Sequence, residues 1–168
     1  MDRLTPKQRS KTMTAVRSKD TKPELFVRRQ LHARGFRFRL HRNDLPGKPD
    51  IVFPSRKCVI FVHGCFWHGH GCRRNVLPAT RREYWGPKIK GNMARDERNR
   101  NDLEVAGWSV LIIWECDLRQ AEYIDSVAAW LDAHTAMRGP KKSSGQMNPR
   151  YSQLQAGFEH ISNTPIVN

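Results

Sequence analysis

Apolar positions along this chain fall into short blocks whose spacing predicts their elements. Leu25, Phe26, Val27 and Leu31 follow Thr21-Lys22-Pro23-Glu24, where a capping Thr stands three places before a Glu. The pattern predicts a helix that ends before Gly35. Thr5-Pro6-Lys7-Gln8 carries the same kind of start signal and predicts a short basic helix bearing Met13 and Val16. Phe36-Arg37-Phe38-Arg39-Leu40 alternates, the period of a strand with one wet face.

Two short apolar runs, Ile51–Phe53 and Cys58–Val62, are set off by Pro-Gly and Pro-Ser pairs and predict a hairpin. SVLIIW, residues 109–114, is apolar nearly throughout, as in a central strand covered on both faces. Before it, Thr80 and Glu83 form a third cap pattern. A charged helix follows, with Leu103, Val105 and Ala106 as its apolar positions and Gly86-Pro87 as a break near its start. Ile124, Val127, Ala128 and Leu131 mark a last amphipathic helix. This order predicts an α/β fold with helices about a central mixed sheet. The folded domain is expected over 1–138, and the turn-forming, aperiodic stretch 139–168 as a loose tail.

The chain has 168 residues, enough for one domain with a real core. No apolar run approaches the roughly 20 residues that span a bilayer, and the start MDRLTPKQRSK has no secretory stretch. A soluble, intracellular protein without membrane attachment is expected. Charge adds more. Thirty Lys and Arg against sixteen Asp and Glu give +14, and residues 1–50 hold fourteen basic and five acidic side chains. A field of that sign favours a polyanion, most simply a nucleic-acid backbone. A generically soluble basic protein, or one drawn to anionic membrane, is the alternative, but no amphipathic anchor accompanies the charge.

VHGCFWHGHGC, residues 62–72, is poor core material, and it carries the chemistry. The chain's cysteines stand at 58, 65, 72 and 116, and without an export signal they point to metal rather than disulfides. Cys65, His70, Cys72 and Cys116 can form a tetrahedral zinc site with no open position, fastening the loop to the end of the 109–114 strand. His68 is an alternative to His70. Gly64, Gly69 and Gly71 are expected to let the loop fold tightly. Cys58, in mid-strand, is expected to be a small core residue. Asp50 opens the first hairpin strand and His63 closes the second, so a carboxylate and an imidazole can meet at one rim of the sheet. Asp50 can hold Mg²⁺, and His63 and His68 can carry protons near neutral pH. A strand-end turn residue and surface histidines are the plainer reading of the same positions.

LPGKPDIVF, CVIFVHGCFWHGHGC, EYWGPKIKGNMARD and VLIIWEC stand in this order and together resemble the very short patch repair DNA mismatch endonucleases. The resemblance implies a restriction-endonuclease-like fold and an enzyme that nicks duplex DNA beside the T of T:G mismatches left by 5-methylcytosine deamination. It implies Asp50 as the Mg²⁺ ligand with the backbone carbonyl of Val62, and His68 as activator of the attacking water. His63 and Glu24 would support the water and phosphate network. Cys65, His70, Cys72 and Cys116 match the family's zinc ligands. Phe66 and Trp67 would wedge beside the mismatch, Met13 would enter from the opposite groove, and Lys88 and Asn92 would contact the mismatched pair. A cytosine-5 DNA methyltransferase as functional companion, a monomer, and a place on the nucleoid in bacterial cytoplasm follow by analogy.

Plainer roles compete: a capping box for Glu24, core packing for Phe66, Trp67 and Met13, phosphate contact for Lys88, a helix cap for Asn92. Restriction-like nucleases carry E-x-K on the second strand, where this chain reads Phe61-Val62-His63; the mismatch-repair branch shares that departure. Two rival functions remain open to the sequence. One is a restriction-type endonuclease of the same fold acting on matched duplexes; the other is a non-catalytic, zinc-stabilised DNA-binding protein.

Overall fold

Thr21 starts the first helix in the way its neighbours dictate. In the computed structural model, which describes residues 19–73 and 82–136, helix α1 (Lys22–Ala33) opens with a full capping box. The Glu24 N–H donates to Thr21 Oγ1, and the Thr21 N–H donates to the Glu24 carboxylate. The expected helix start at Thr5, with Met13 and Val16, the cap at Thr80 and the stretch 139–168 lie outside the described residues. The buried face of α1 is half polar: Glu24, Val27, Arg28 and Leu31 form one stripe at helical spacing. Phe26, expected with the apolar positions, is 41% exposed, because two residues beyond Glu24 is about 200° round the helix.

Strands β1 (Arg39–Leu40), β2 (Ile51–Phe53), β3 (Cys58–His63) and β4 (Ser109–Trp114) form a mixed sheet in that order. β1 and β3 flank β2 antiparallel, and β4 runs parallel to β3. The predicted hairpin is therefore present, turned by the single 3₁₀ turn Pro54–Arg56 and a left-handed Lys57. The strand expected over 36–40 pairs only at 39–40. Phe36 and Phe38 instead lay their rings edge-on against Phe53, at 6.2 and 5.8 Å. β4 is not central; it closes one end of the described sheet. Its buried residues are Leu111 and Ile113, with the residues between them half-buried, so the apolar run reflects two covered faces rather than two paired edges.

The parallel pair β3–β4 needs a crossover, and α2 (Arg82–Val105) supplies it. The break expected at Gly86-Pro87 does not occur: Pro87 lies inside a continuous helix. Proline deprives the Glu83 carbonyl of its helical partner, but Trp85 and Ile89 on either side are both buried and hold the two turns in place. Leu103 joins Val52, Val59 and Trp108 in a core cluster on this face. Val105, expected in the core, is 90% exposed. On the other face, Ile51, Phe53, Ile60, Leu111 and Ile113 are also buried. That leaves α1 and α3 (Tyr123–Ala136), which pack on each other, to cover it with Val27, Leu31, Ile124, Val127 and Leu131. Cys58 is fully buried in β3, as expected of a core residue. No described helix is long and apolar enough to cross a membrane.

What matters for chemistry is where β3 and β4 end. Because they are parallel, their carboxyl ends lie side by side, His63 opposite Trp114. The Glu115 N–H extends the pairing by donating to the His63 carbonyl at 3.0 Å. The 64–73 loop leaves from this point, and Cys116 follows on the neighbouring strand.

Candidate active site and metal centre

Asp50 stands one residue before β2, where the ladder to β3 has stopped, and its side chain takes over the pairing. Oδ2 accepts from the Val62 N–H at 2.8 Å. Burial pushes its carboxyl up to about 6; the Val62 hydrogen bond opposes this, and the charge of Glu24 adds to it. A carboxylate that ionises reluctantly and faces a sheet rim is one whose charged form a cation stabilises. The loop before it is shaped by Gly47, whose φ is +71° and whose missing Cβ would lie 3.0 Å from Asn99 Cβ on α2.

The residue after Val62 is His63, and it is buried. Burial first, then the positive charge of His68, pushes its imidazole down to about 3, so the ring is neutral wherever the protein works. His68 stacks on it, ring centroids 3.7 Å apart and planes within 10°. Nδ1 of His68 lies 2.6 Å from Asp96 Oδ2. Burial alone would raise the Asp96 carboxyl, yet the His68 bond and charge hold it below the usual carboxylate range. An ionised Asp96 fixes the proton on Nδ1 and leaves the Nε2 lone pair as a base. The two histidines that sequence treats alike are therefore different: one a buried neutral ring, the other a half-buried base with a carboxylate behind it.

The second constellation lies along the same loop. Cys65, His70, Cys72 and Cys116 present ligand atoms all within 4.8 Å of one another, with Cys116 Sγ 3.4 Å from His70 Nδ1. These four could hold a metal ion, whereas His68 belongs with His63 and Asp96; the geometry thus separates the two candidate imidazoles. Burial first, then neighbouring thiols, hold Cys65 and Cys116 above the ordinary thiol range. His70 stacks on Trp114 at 4.3 Å.

Of the glycines expected to fold this loop, Gly69 carries the demand. Its φ is +67°, and a Cβ there would collide with Met93 and sit 3.2 Å from Ile89 Cγ2. Gly71 has open space around it. Gly69→Ala is expected to cost about 1–3 kcal/mol in chemical denaturation. Combining it with Met93→Ala should relieve the collision but not the backbone strain, so only part of the loss returns.

Phe66, Trp67 and Trp85 form a mutually edge-on cluster, with centroids 5.1, 5.3 and 5.8 Å apart. Phe66 and Trp67 are half-buried, neither core nor free. Asn92 is not a cap: it lies inside α2, and its Nδ2–H donates to the Trp67 carbonyl at 2.9 Å. Lys88 is exposed on the same helix. Glu24 is committed locally, accepting from Asp20 N–H, Thr21 Oγ1 and Arg28 Nη2 at 3.0, 2.8 and 2.6 Å. Met13 lies outside the described residues.

The family model described as "DNA mismatch endonuclease Vsr" matches residues 1–74. The Type II nicking enzyme V.XorIIP of Xanthomonas oryzae pv. oryzae is 60% identical over 117 residues, 70% of this chain and 86% of that one. The DNA mismatch endonuclease Vsr of Escherichia coli K12 is 46% identical over 120 residues, 71% of this chain and 77% of that one. Type II nicking enzyme V.NmeAIP of Neisseria meningitidis is 43% identical over 118, covering 70% and 84%. The chain belongs to the Vsr family.

Sequence reading of this Vsr-family chain named Asn92 and Leu103 on α2 but missed Trp85, Ile89, Asp96 and Asn99 beside them. Trp85, Ile89, Asn92, Asp96, Asn99 and Leu103 recur at alternating steps of four and three, one face of the helix. Each meets something already described: the aromatic cluster, Gly69, the Trp67 carbonyl, His68, Gly47 and the core. The spacing was available in residues 85–103, but half the stripe is polar, and a hydrophobic pattern does not find it.

Proposed function

We propose that this chain is a Mg²⁺-dependent endodeoxyribonuclease with a restriction-endonuclease-like fold, which nicks duplex DNA beside the T of a T:G mismatch. The observation that supports it most is the junction at Val62 and His63. One strand end joins a cation-seeking carboxylate, on the Val62 N–H, to a carboxylate-backed histidine, stacked on His63. Membership of a family whose members include mismatch and nicking endonucleases supports the substrate.

Asp50 and the Val62 carbonyl would hold Mg²⁺, which when bound would supply Lewis-acid charge at the scissile phosphate. His68 takes the proton of the attacking water on Nε2, while Asp96 holds Nδ1–H and shares the positive charge that results. His63, neutral and buried, props the His68 ring from behind and adds no competing charge. Glu24 acts on the network electrostatically, through its charge near Asp50. Three thiolates and one imidazole suit structural zinc, and Cys65, His70, Cys72 and Cys116, with ligand atoms within 4.8 Å of one another, would hold it. A divalent ion also reverses the reluctance of these thiols to ionise.

Recognition begins with charge. At +14 the chain binds duplex by counterion release, without regard to sequence. Phe66 and Trp67, backed by Trp85, then pry a base step at a cost of a few kcal/mol, lower at a wobble pair, which stacks less well. Met13 enters from the other groove, and Lys88 and Asn92 contact the mismatched pair. A monomer in bacterial cytoplasm, working beside a cytosine-5 methyltransferase, completes the reading.

A panel of duplexes with T:G or matched pairs, incubated with Mg²⁺ or EDTA, tests it. Mg²⁺-dependent nicking confined to T:G duplexes is expected. Equal cutting of matched duplexes would select the restriction-type reading, and binding without cutting the non-catalytic one. Within the site, Asp96→Asn is expected to lower single-turnover nicking about 10²–10³-fold with duplex affinity nearly unchanged. An equal loss of affinity would put Asp96 in the DNA interface instead.

A further inference from the structure

Beside Asp50, α1 and the β1–β2 connection assemble charged groups of which only Glu24 has a part in the steps above. Asp20, Glu24 and His41 offer ligand atoms within 4.8 Å of one another, a spacing that a cation can bridge. A side chain of this protein already stands among them. Arg28, 7% exposed, donates from Nη1 to Asp20 Oδ1 at 2.5 Å and from Nη2 to Glu24 Oε2 at 2.6 Å. Its Nη2 also lies 3.0 Å from His41 Nε2. A guanidinium is always charged and only donates, so Nε2 of His41 turns its lone pair towards it. Among the described residues Nε of Arg28 has no partner, and its other nitrogens bond to the cluster. Two carboxylate oxygens and an imidazole lone pair around one buried cation make the inner shell of a metal site with a guanidinium at its centre. The cluster is not remote from the chemistry, for the charges of Glu24 and Arg28 both reach Asp50.

We propose that Arg28 occupies the cation position of the Asp20–Glu24–His41 cluster, and by holding it keeps a divalent ion out of that cluster in the DNA-free chain. Arg28 is thus a positioning residue: it keeps the Glu24 and Asp20 carboxylates paired with a guanidinium, where without it they would be metal ligands. The inference rests on the reading of Asp50 given above. It carries a clear demand on side-chain chemistry. Lysine at 28 keeps a cation in place, whereas methionine, of similar length and no charge, leaves three donors facing one another with nothing between them.

Mn²⁺ binding to the full chain without DNA, read from the electron paramagnetic resonance of free Mn²⁺, tests it. Wild type and Arg28→Lys are expected to bind about one Mn²⁺ that Asp50→Asn removes. Arg28→Met is expected to bind about two, and the second should vanish when Glu24→Gln is added. Asp20→Asn in the wild-type background should leave the count at one, since Asp20 is no ligand while Arg28 is present. A folded Arg28→Met chain with an unchanged count, its Asp50-dependent ion still bound, defeats this inference alone. So does an Arg28→Met chain that fails to fold and is not restored by millimolar Mn²⁺, because the ion should replace the missing charge. If Asp50→Asn removes no Mn²⁺ from wild type, the reading of Asp50 itself fails.

Discussion

Asp50→Asn is expected to abolish nicking and, at pH 8 without added Mg²⁺, to stabilise the folded chain by about 2–3 kcal/mol. The two effects have one cause. Asp50 titrates near 6 in the folded chain against an ordinary 3.8, so the folded state binds a proton that the unfolded state releases. Stability from this group is whole below about pH 4, falls as pH rises to about 6, and stays lost above it. Asparagine keeps an oxygen for the Val62 N–H and carries no charge to bury, which removes the penalty. It also removes the carboxylate proposed to hold Mg²⁺. Chemical denaturation at pH 5 and pH 8 separates the effects: the gain should be large at pH 8 and smaller at pH 5. Added Mg²⁺ should raise the wild-type midpoint and leave that of the variant unmoved. In nicking assays the Mg²⁺ requirement of wild type should climb below about pH 6, where proton and metal compete for one carboxylate. A variant no more stable than wild type at pH 8 would mean that Asp50 is not buried against its charge.

Cys116→Ser is expected to act on the loop rather than on the strand that carries it. Zinc should fall well below one per chain, and unfolding free energy should drop by about 3 kcal/mol or more. Serine is a poor zinc ligand, and Cys116 is the one member of the Cys65–His70–Cys72–Cys116 group that lies outside the loop, after β4. Since His68, Phe66 and Trp67 ride on that loop, nicking and mismatch preference should fall together, whereas Asp50→Asn should lose cutting and keep DNA affinity. Cys58→Ala provides the contrast: fully buried in mid-strand, it should destabilise by a cavity and leave zinc content intact. Metal analysis and thermal melting of the two variants decide the matter. Full zinc with normal melting in Cys116→Ser would mean that a different fourth ligand closes the site.

Legibility in the sequence followed how local each interaction is. The capping box of α1 is complete within four residues, and the β2–β3 hairpin needs only two apolar runs and a turn; both read directly. Asp50 and His63 could be brought to one rim from that hairpin alone. The edge position of β4 could not, because an apolar run reports covered faces and says nothing of which backbone edge is paired. Pro87 misled for a related reason: its cost to a helix is real, but burial of Trp85 and Ile89 decides the outcome and is invisible in a dipeptide. Asp96 stands 28 residues from His68 within a charged helical run, where any acid reads as solvated. Arg28 was hidden by the same habit, a cation in a basic chain that lies buried among acids.

The stripe along α2 sets limits on how such enzymes can exchange parts. The 64–73 loop touches that helix at Trp85, Ile89, Asn92, Met93 and Asp96, so a loop transplanted from a relative arrives without the surface it was fitted to. A chimera that moves residues 64–73 alone should lose cutting and mismatch choice at once, whereas one that moves the loop and helix as a block should keep both. Inheritance of specificity in this lineage would then proceed by segments reaching from β3 to β4, not by single loops.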